Sequence, residues 1–248
     1  VRLKGRTIFI SGATSAIGEA IAGACVKEGA QLILSGRDRE RLLACAAASQ
    51  SAILERVVLD LEQPEDITNT VSGLQGRHCI DGFVHVAGLH ELAPLNLTRP
   101  DRLLRAFKVN TLAGIELSRL LAHPKLLNMN SGASHVFISS VASHRAEPGL
   151  LAYSTAKAAL NAAIRGLAVE LAPKNVRVNA LTLGWVNTPA ALRTLAAMGE
   201  ERAAIQAKRY PLGFGEISDV TAGALFLLSP ESRWMTGSEL VMDGGLLA

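Results

Sequence analysis

The chain has 248 residues, 49% of them hydrophobic, 19% charged and 4% aromatic, with 22 glycines and 9 prolines. That apolar content excludes a disordered chain, the absence of a glycine period excludes a collagen-like one, and the length suits one large α/β domain or two small ones. The 25 basic residues are spread along the chain beside 22 acidic ones, a net charge of +3 that leaves no nucleic-acid footprint.

In chain order, short β-rich runs alternate with helical stretches. Strands are predicted over 7–11, 31–35, 53–59, 82–86, 135–139, 176–181 and 239–242. Helices are predicted near 17–28, 38–48, 64–75, 100–121, 152–171 and 217–228. Runs such as Ile8-Phe9-Ile10 and Val136-Phe137-Ile138 are apolar throughout, as suits strands covered on both faces. The alternation predicts a seven-stranded parallel sheet with right-handed crossovers, wound on both sides as a Rossmann-like α/β sandwich. Thr98-Arg99-Pro100-Asp101 reads as a hydroxyl cap, a first-turn proline and a carboxylate opening the helix at 100. On 152–171, Ala156, Leu160, Ile164, Leu167 and Leu171 make one apolar stripe, while Ala158, Ala159, Ala162 and Ala163 make a second, small-faced one. Two buried faces fit either a subunit interface or a crowded monomer core. No linker breaks the chain, so residues 1–248 read as a single domain. A polar, alanine-rich helical segment over 190–208, bounded by Pro189 and Pro211, reads as a flexible substrate flap near 188–212.

Ser11-Gly12-Ala13-Thr14-Ser15-Ala16-Ile17-Gly18 follows the first strand and opens the first helix. Small residues there let backbone approach a pyrophosphate whose charge meets free amides at the helix N-terminus. After the second strand, an acid would bind the adenosine 2′-hydroxyl. Here Gly36 stands in its place, followed by Arg37 and Arg39, and guanidinium geometry matches a 2′-phosphate. NADP(H) is therefore favoured over NAD(H).

Tyr153 and Lys157 stand one helical turn apart, so both point from one face. An ammonium beside a phenol is expected to lower the phenol's pKa and fit it to proton transfer near neutral pH. Phe137-Ile138-Ser139-Ser140 supplies hydroxyls at the end of a buried strand, where doubly wound sheets place ligands.

With these features go Asp60-Leu61, His85-Val86-Ala87-Gly88, Val109-Asn110, Val178-Asn179, Leu183-Gly184-Trp185-Val186-Asn187-Thr188-Pro189 and Met242-Asp243-Gly244-Gly245. In this order and spacing the chain resembles the compact short-chain dehydrogenase/reductase family over nearly all its length. The resemblance implies Tyr153 as acid/base, Ser140 (rather than Ser139) as hydrogen-bond partner of the substrate oxygen, and Lys157 as holder of the nicotinamide ribose. Asn110 would support a water linking Lys157 to solvent. It implies Gly12, Ser15, Ile17 and Gly18 around the phosphates, Arg37 at the ribose, and Asp60 and Leu61 at the adenine. Ala87 and Gly88 would line the middle of the cofactor, and Val186 and Thr188 would meet the carboxamide. A small carbonyl or alcohol substrate and a homotetramer are implied as well.

The chain departs from the family pattern at Ala16, at His85-Val86 (an asparagine pair in the family), at Leu183 (a proline) and at Pro211-Leu212-Gly213-Phe214-Gly215, which lacks an arginine. These departures keep open a catalytically idle nucleotide-binding regulator of the same fold. The intact Ser140, Tyr153, Lys157 and Asn110 argue for an oxidoreductase. No metal site is expected from the histidines. His144 and Trp185 each read equally as substrate neighbours or as ordinary loop and packing residues, and Leu150, three residues before Tyr153, reads as a substrate contact. The N-terminus lacks a signal-peptide core, no run approaches the ~18 apolar residues of a membrane span, and Cys25, Cys45 and Cys79 match no disulfide framework. A cytoplasmic protein with reduced thiols and no membrane partner is expected.

Overall fold

The computed structural model describes residues 1–45 and 47–248. Its strands are β1 (Thr7–Ser11), β2 (Gln31–Gly36), β3 (Ile53–Val58), β4 (Gly82–His85), β5 (Ala133–Ser140), β6 (Val176–Leu183) and β7 (Glu239–Met242). They form one parallel sheet in the order β3-β2-β1-β4-β5-β6-β7. The order reverses between β1 and β4, and the C-terminal ends of those strands open the crevice where doubly wound sheets bind ligands.

Side-chain alternation divides the apolar runs between two cores. Ile8, Ile10, Val136 and Ile138 face α1 (Ala16–Lys27) and α9 (Ile217–Leu228). Phe9 and Phe137 face the opposite layer of α3 (Pro64–Ser72), α5 (Ala113–Leu121) and α6 (Leu151–Leu171). All three residues of Ile8-Phe9-Ile10 are fully buried, as two-sided cover requires.

Several predicted elements are redrawn. The helix expected over 38–48 ends early: α2 covers Arg39–Ala44, and Cys45 turns extended with its thiol donating to the Ala13 carbonyl at 3.2 Å. The helix expected over 100–121 is broken into α4 (Pro100–Phe107), a π-helical turn (Lys108–Leu112) and α5. Its cap is not Thr98. Arg99 holds that position without a side-chain bond, because the Thr98 hydroxyl is directed back to the Ala93 and Pro94 carbonyls. The 190–208 segment is two helices, α7 (Pro189–Met198) and α8 (Glu200–Lys208), separated by Gly199 at φ 81°. On α6 the predicted stripe is buried apart from the half-buried Leu167, whereas Ala158 and Ala162 on the small face are exposed. A crowded monomer core is therefore not what those alanines serve.

Candidate active site

The crevice starts at the β1–α1 turn. Gly12 adopts φ 72°, and a Cβ there would lie 2.6 Å from the Ala87 nitrogen. Ser15 caps α1, its hydroxyl accepting from the Gly18 nitrogen at 3.0 Å and donating to the Gly12 carbonyl at 2.8 Å. A Cβ on Gly18 would come within 2.3 Å of the Gly12 carbonyl oxygen, so this glycine lets the helix fold back under the turn. A Cβ on Gly88 would stand 2.9 Å from Asn110 Oδ1 and 3.7 Å from Lys157 Nζ. These bare backbone positions form a trough that side chains would fill, and its residues fit a dinucleotide.

Gly12, Ser15, Arg37, Asp60, Leu61, Ala87 and Gly88 all line the crevice. Ile17 packs against the core beneath α1, and Gly18 is closely packed under the Gly12 carbonyl. Val186 bridges to Gly215, and Thr188 caps α7 by accepting from the Ala191 nitrogen at 3.1 Å. Among the lining residues without a role assigned from sequence are Thr14 and Arg41. Asp38 caps α2, which puts Arg41 in the first turn with its guanidinium donating to the Thr14 carbonyl at 2.8 Å. The signal was present in the Asp38-to-Arg41 spacing. Arg39, read beside Arg37 in the sequence, is exposed and does not line the crevice. Arg37 lies 3.7 Å from Glu62, whose main partner is Arg105 at 2.9 Å; hydrogen bonding from Arg105 holds the Glu62 carboxyl below its usual range.

At the end of β5 the walls become side chains. Tyr153 and Lys157 come off one face of α6, the Lys157 ammonium 5.8 Å from the centre of the Tyr153 ring. Burial pushes the Lys157 pKa down to about 8, and its Nζ donates to the Ile138 carbonyl at 2.7 Å. The expectation that the ammonium lowers the phenol is corrected here. Burial raises the Tyr153 pKa, a hydrogen bond with the Ser140 side chain opposes that rise, and Lys157 directs its proton to backbone instead. Asn110, fully buried in the π-helical turn, is fixed at both ends: Oδ1 accepts from the Leu89 nitrogen at 2.7 Å and Nδ2 donates to the Leu89 carbonyl at 3.0 Å. His90, considered in the sequence only for metal binding, packs edge-on against Tyr153 with ring centres 4.8 Å apart.

The departures from the family pattern are accommodated. His85 Nδ1 meets the Ser11 hydroxyl at 2.8 Å, its ring lies against Phe137, and it fits because position 114 is glycine, where a Cβ would sit 2.9 Å from the ring. Leu183 closes β6 beside Met242. Trp185 stacks on Phe214 at 5.3 Å, with Tyr210 beside them. His144 reaches Glu239 at 2.6 Å, and Leu150 is buried just before α6.

Fold and crevice together define a nucleotide-binding oxidoreductase of the doubly wound class. A family model described as enoyl-(acyl carrier protein) reductase matches residues 12–247. The chain is 32% identical to L-xylulose reductase of Bos taurus over 249 residues, covering 100% of this chain and 99% of that protein. It is 31% identical to 3-oxoacyl-[acyl-carrier-protein] reductase of Thermotoga maritima, with 100% of both covered. Gluconate 5-dehydrogenase of Burkholderia cenocepacia, solved with NADP and tartrate, superposes with a TM-score of 0.90 at 26% identity, over 99% of this chain and 96% of that one. The chain belongs to the short-chain dehydrogenase/reductase family, enzymes that act on CH–OH or carbonyl groups with a nicotinamide cofactor.

Proposed function

We propose that this enzyme moves a hydride between NADP(H) and a small carbonyl or secondary-alcohol substrate, with Tyr153 as acid/base. The observation that carries the reading is the meeting of Ser140, Tyr153 and Lys157 at the end of β5, beside the glycine-walled crevice. The cofactor supplies the hydride, and the protein orients the partners and moves the proton. Ser140 holds the substrate oxygen by a hydrogen bond. Tyr153, kept protonated by burial, gives its proton to that oxygen as negative charge develops in reduction, and takes one in oxidation. Lys157 holds the nicotinamide ribose, and Asn110 keeps the π-helical turn and a linking water in place.

Gly12, Ser15, Ile17 and Gly18 shape the phosphate turn, and Ala87 and Gly88 the middle of the trough. Asp60 and Leu61 are assigned to the adenine, and Val186 and Thr188 to the carboxamide. Preference for NADP(H) rests on Arg37 and Arg41, two guanidiniums on the crevice where an acid would select NAD(H). We assign residues 1–248 to one catalytic domain whose helices α7 and α8 close over the substrate. Four copies assemble, with the exposed alanine face of α6 at one interface.

Purified protein given NADPH and a panel of ketones should consume the cofactor. Tyr153→Phe should cut turnover by roughly 10²–10⁴-fold while leaving NADPH binding intact. Turnover that survives the substitution refutes the acid assignment, and a monomeric mass by light scattering refutes the assembly.

A further inference from the structure

Behind Ser140 lies a second polar assembly, buried at Ser139, Asn161 and Thr182 and opening to the surface at His144 and Arg165, built on the same helix that carries Tyr153 and Lys157. Asn161, one turn beyond Lys157, is its hub. Its Oδ1 accepts from Ser139 Oγ at 2.5 Å, and its Nδ2 donates to Ser143 Oγ at 3.0 Å and to Glu239 Oε2 at 2.6 Å. Ser143 Oγ in turn donates to the Ser140 carbonyl at 2.6 Å. Glu239 also receives Thr182 Oγ1 at 3.2 Å and His144 Nε2 at 2.6 Å, with Arg165 3.6 Å from its other oxygen. Strand register brings these groups together. Ser139 pairs with Thr182 and Ala180 with Glu239, so Ser139, Thr182 and Glu239 rise from one face of three neighbouring strands beneath α6.

The assembly has a direction. An amide can sit in either of two orientations, but a carboxylate only accepts hydrogen bonds. Glu239 therefore turns Asn161 so that Nδ2 faces β7 and Oδ1 faces Ser139. Ser143, receiving a proton from Nδ2, is left to point its own at the Ser140 carbonyl. Ser140 is thus gripped on both sides, through Ser139 before it and Ser143 after it, from the helix that carries the phenol.

We infer that Glu239 and Asn161 are positioning residues that set the separation between Ser140 and Tyr153 and so govern the chemical step. The inference rests on the proposed roles of those two residues. Misplacing a reacting group by about 1 Å costs on the order of 10²-fold in rate, whereas a merely structural network would move stability alone.

The test uses the intact enzyme, NADPH and the most active ketone of the panel. Glu239→Gln is expected to lower kcat about 10-fold or more with KM for NADPH nearly unchanged. Ser143→Ala, which removes one oxygen from a half-buried site and opposes no packing, should lower kcat in the same way and decides the matter if Glu239→Gln does not fold. Asn161→Asp sets two carboxylates against each other and should cost roughly 100-fold. Adding Glu239→Gln to it should recover about 10-fold of that loss, because the glutamine amide then donates to Asp and the pair is restored in reverse. Unchanged kcat in Glu239→Gln and Ser143→Ala, whatever their melting temperatures, overturns the inference, as does a double variant no faster than Asn161→Asp. Turnover that persists in Tyr153→Phe defeats the reading of the site itself, so the two failures are distinguishable.

Discussion

Where the crevice meets β1 and α1, its wall is backbone: Gly12 is pressed against Ala87, and Gly18 is folded under the Gly12 carbonyl. Where it meets β5 and α6, the wall is side chain, buried at Lys157 and Asn110 and half-buried at Tyr153 and Ser140: Lys157 on the Ile138 carbonyl, Asn110 on Leu89, Tyr153 beside Ser140. The first region offers shape and peptide dipoles to a phosphate of constant charge. The second must change protonation state during turnover, so it needs titratable groups and a low-dielectric setting that shifts them. Substitutions in the two regions should therefore fail differently, the first in binding and folding, the second in rate and pH response.

The largest expected effect is in the backbone region. Gly18→Ala drives a Cβ to within 2.3 Å of a carbonyl oxygen that cannot retreat without moving the turn. A stability loss of about 2–4 kcal/mol in urea unfolding is expected, with cofactor binding weakened in parallel. Gly23→Ala on the same helix meets nothing within 4 Å among the described residues and should stabilise by roughly 0.5–1 kcal/mol. Equal behaviour of the two variants would show that helix propensity, not close approach, governs this end.

The side-chain region is sharpened by Lys157. Burial holds its pKa near 8 instead of the ordinary 10.5. Between those values the unfolded chain binds a proton that the folded one refuses, so this residue makes stability rise with pH through that window and costs stability below it. Lys157→Met should therefore stabilise the protein at neutral pH by roughly 2–3 kcal/mol while abolishing turnover. In the unaltered enzyme, activity should decline above about pH 8 as the ammonium loses its proton. A variant that is both inactive and less stable would deny that the charge is held against its preference.

These regions were also legible in the sequence to different degrees. The turn and the Tyr153–Lys157 pair could be read because each depends on local spacing along one segment. The Ser11–His85 contact, the Arg41–Thr14 bond and the Asn161–Glu239 hub join residues far apart in sequence, and only strand order brings them together. Local reading also missed the break in the 100–121 helix. No proline or glycine marks the π-helical turn at Lys108–Leu112, and the buried Asn110 within it is anchored by the backbone of a different loop. The direction of the Tyr153 shift escaped for the same reason, since burial and the competing Ile138 carbonyl are tertiary facts.

A smaller effect returns to the outer end of the crevice, where charge is added to the backbone trough. Arg37→Ala and Arg41→Ala should each weaken NADPH by about 10-fold, as the loss of a charge-assisted hydrogen bond implies, and leave NADH nearly unaffected. Isothermal titration with both cofactors checks this. Equal losses for the two would remove the argument for a 2′-phosphate site, and an effect confined to Arg37 would return Arg41 to a purely structural role on Thr14.

The smallest effect lies between the two regions, at His85, which links the Ser11 end of β1 to the core beneath α5. Its ring has Ser11 on Nδ1 and Phe83 and Phe137 at centre distances of 6.0 and 5.9 Å, while Nε2 is buried with no hydrogen-bond partner among the described residues. Burial pushes its pKa down to about 3. From pH 6.5 to about 3 the unfolded chain takes up a proton that the native ring refuses, so stability falls as pH falls through that range. His85→Asn should remove this part of the acid sensitivity and cost about 1–2 kcal/mol at neutral pH through the space the ring leaves. Gly114→Ala alone forces a Cβ to 2.9 Å from that ring and should also destabilise by roughly 1–2 kcal/mol, the clash outweighing the gain in helix propensity. Together the added methyl occupies the vacated space, and the double variant should exceed the sum of the singles in stability by about 1 kcal/mol. Strict additivity in urea unfolding would mean that His85 and Gly114 are neighbours without being coupled, and that the tolerance for a histidine here comes from Ser11 alone.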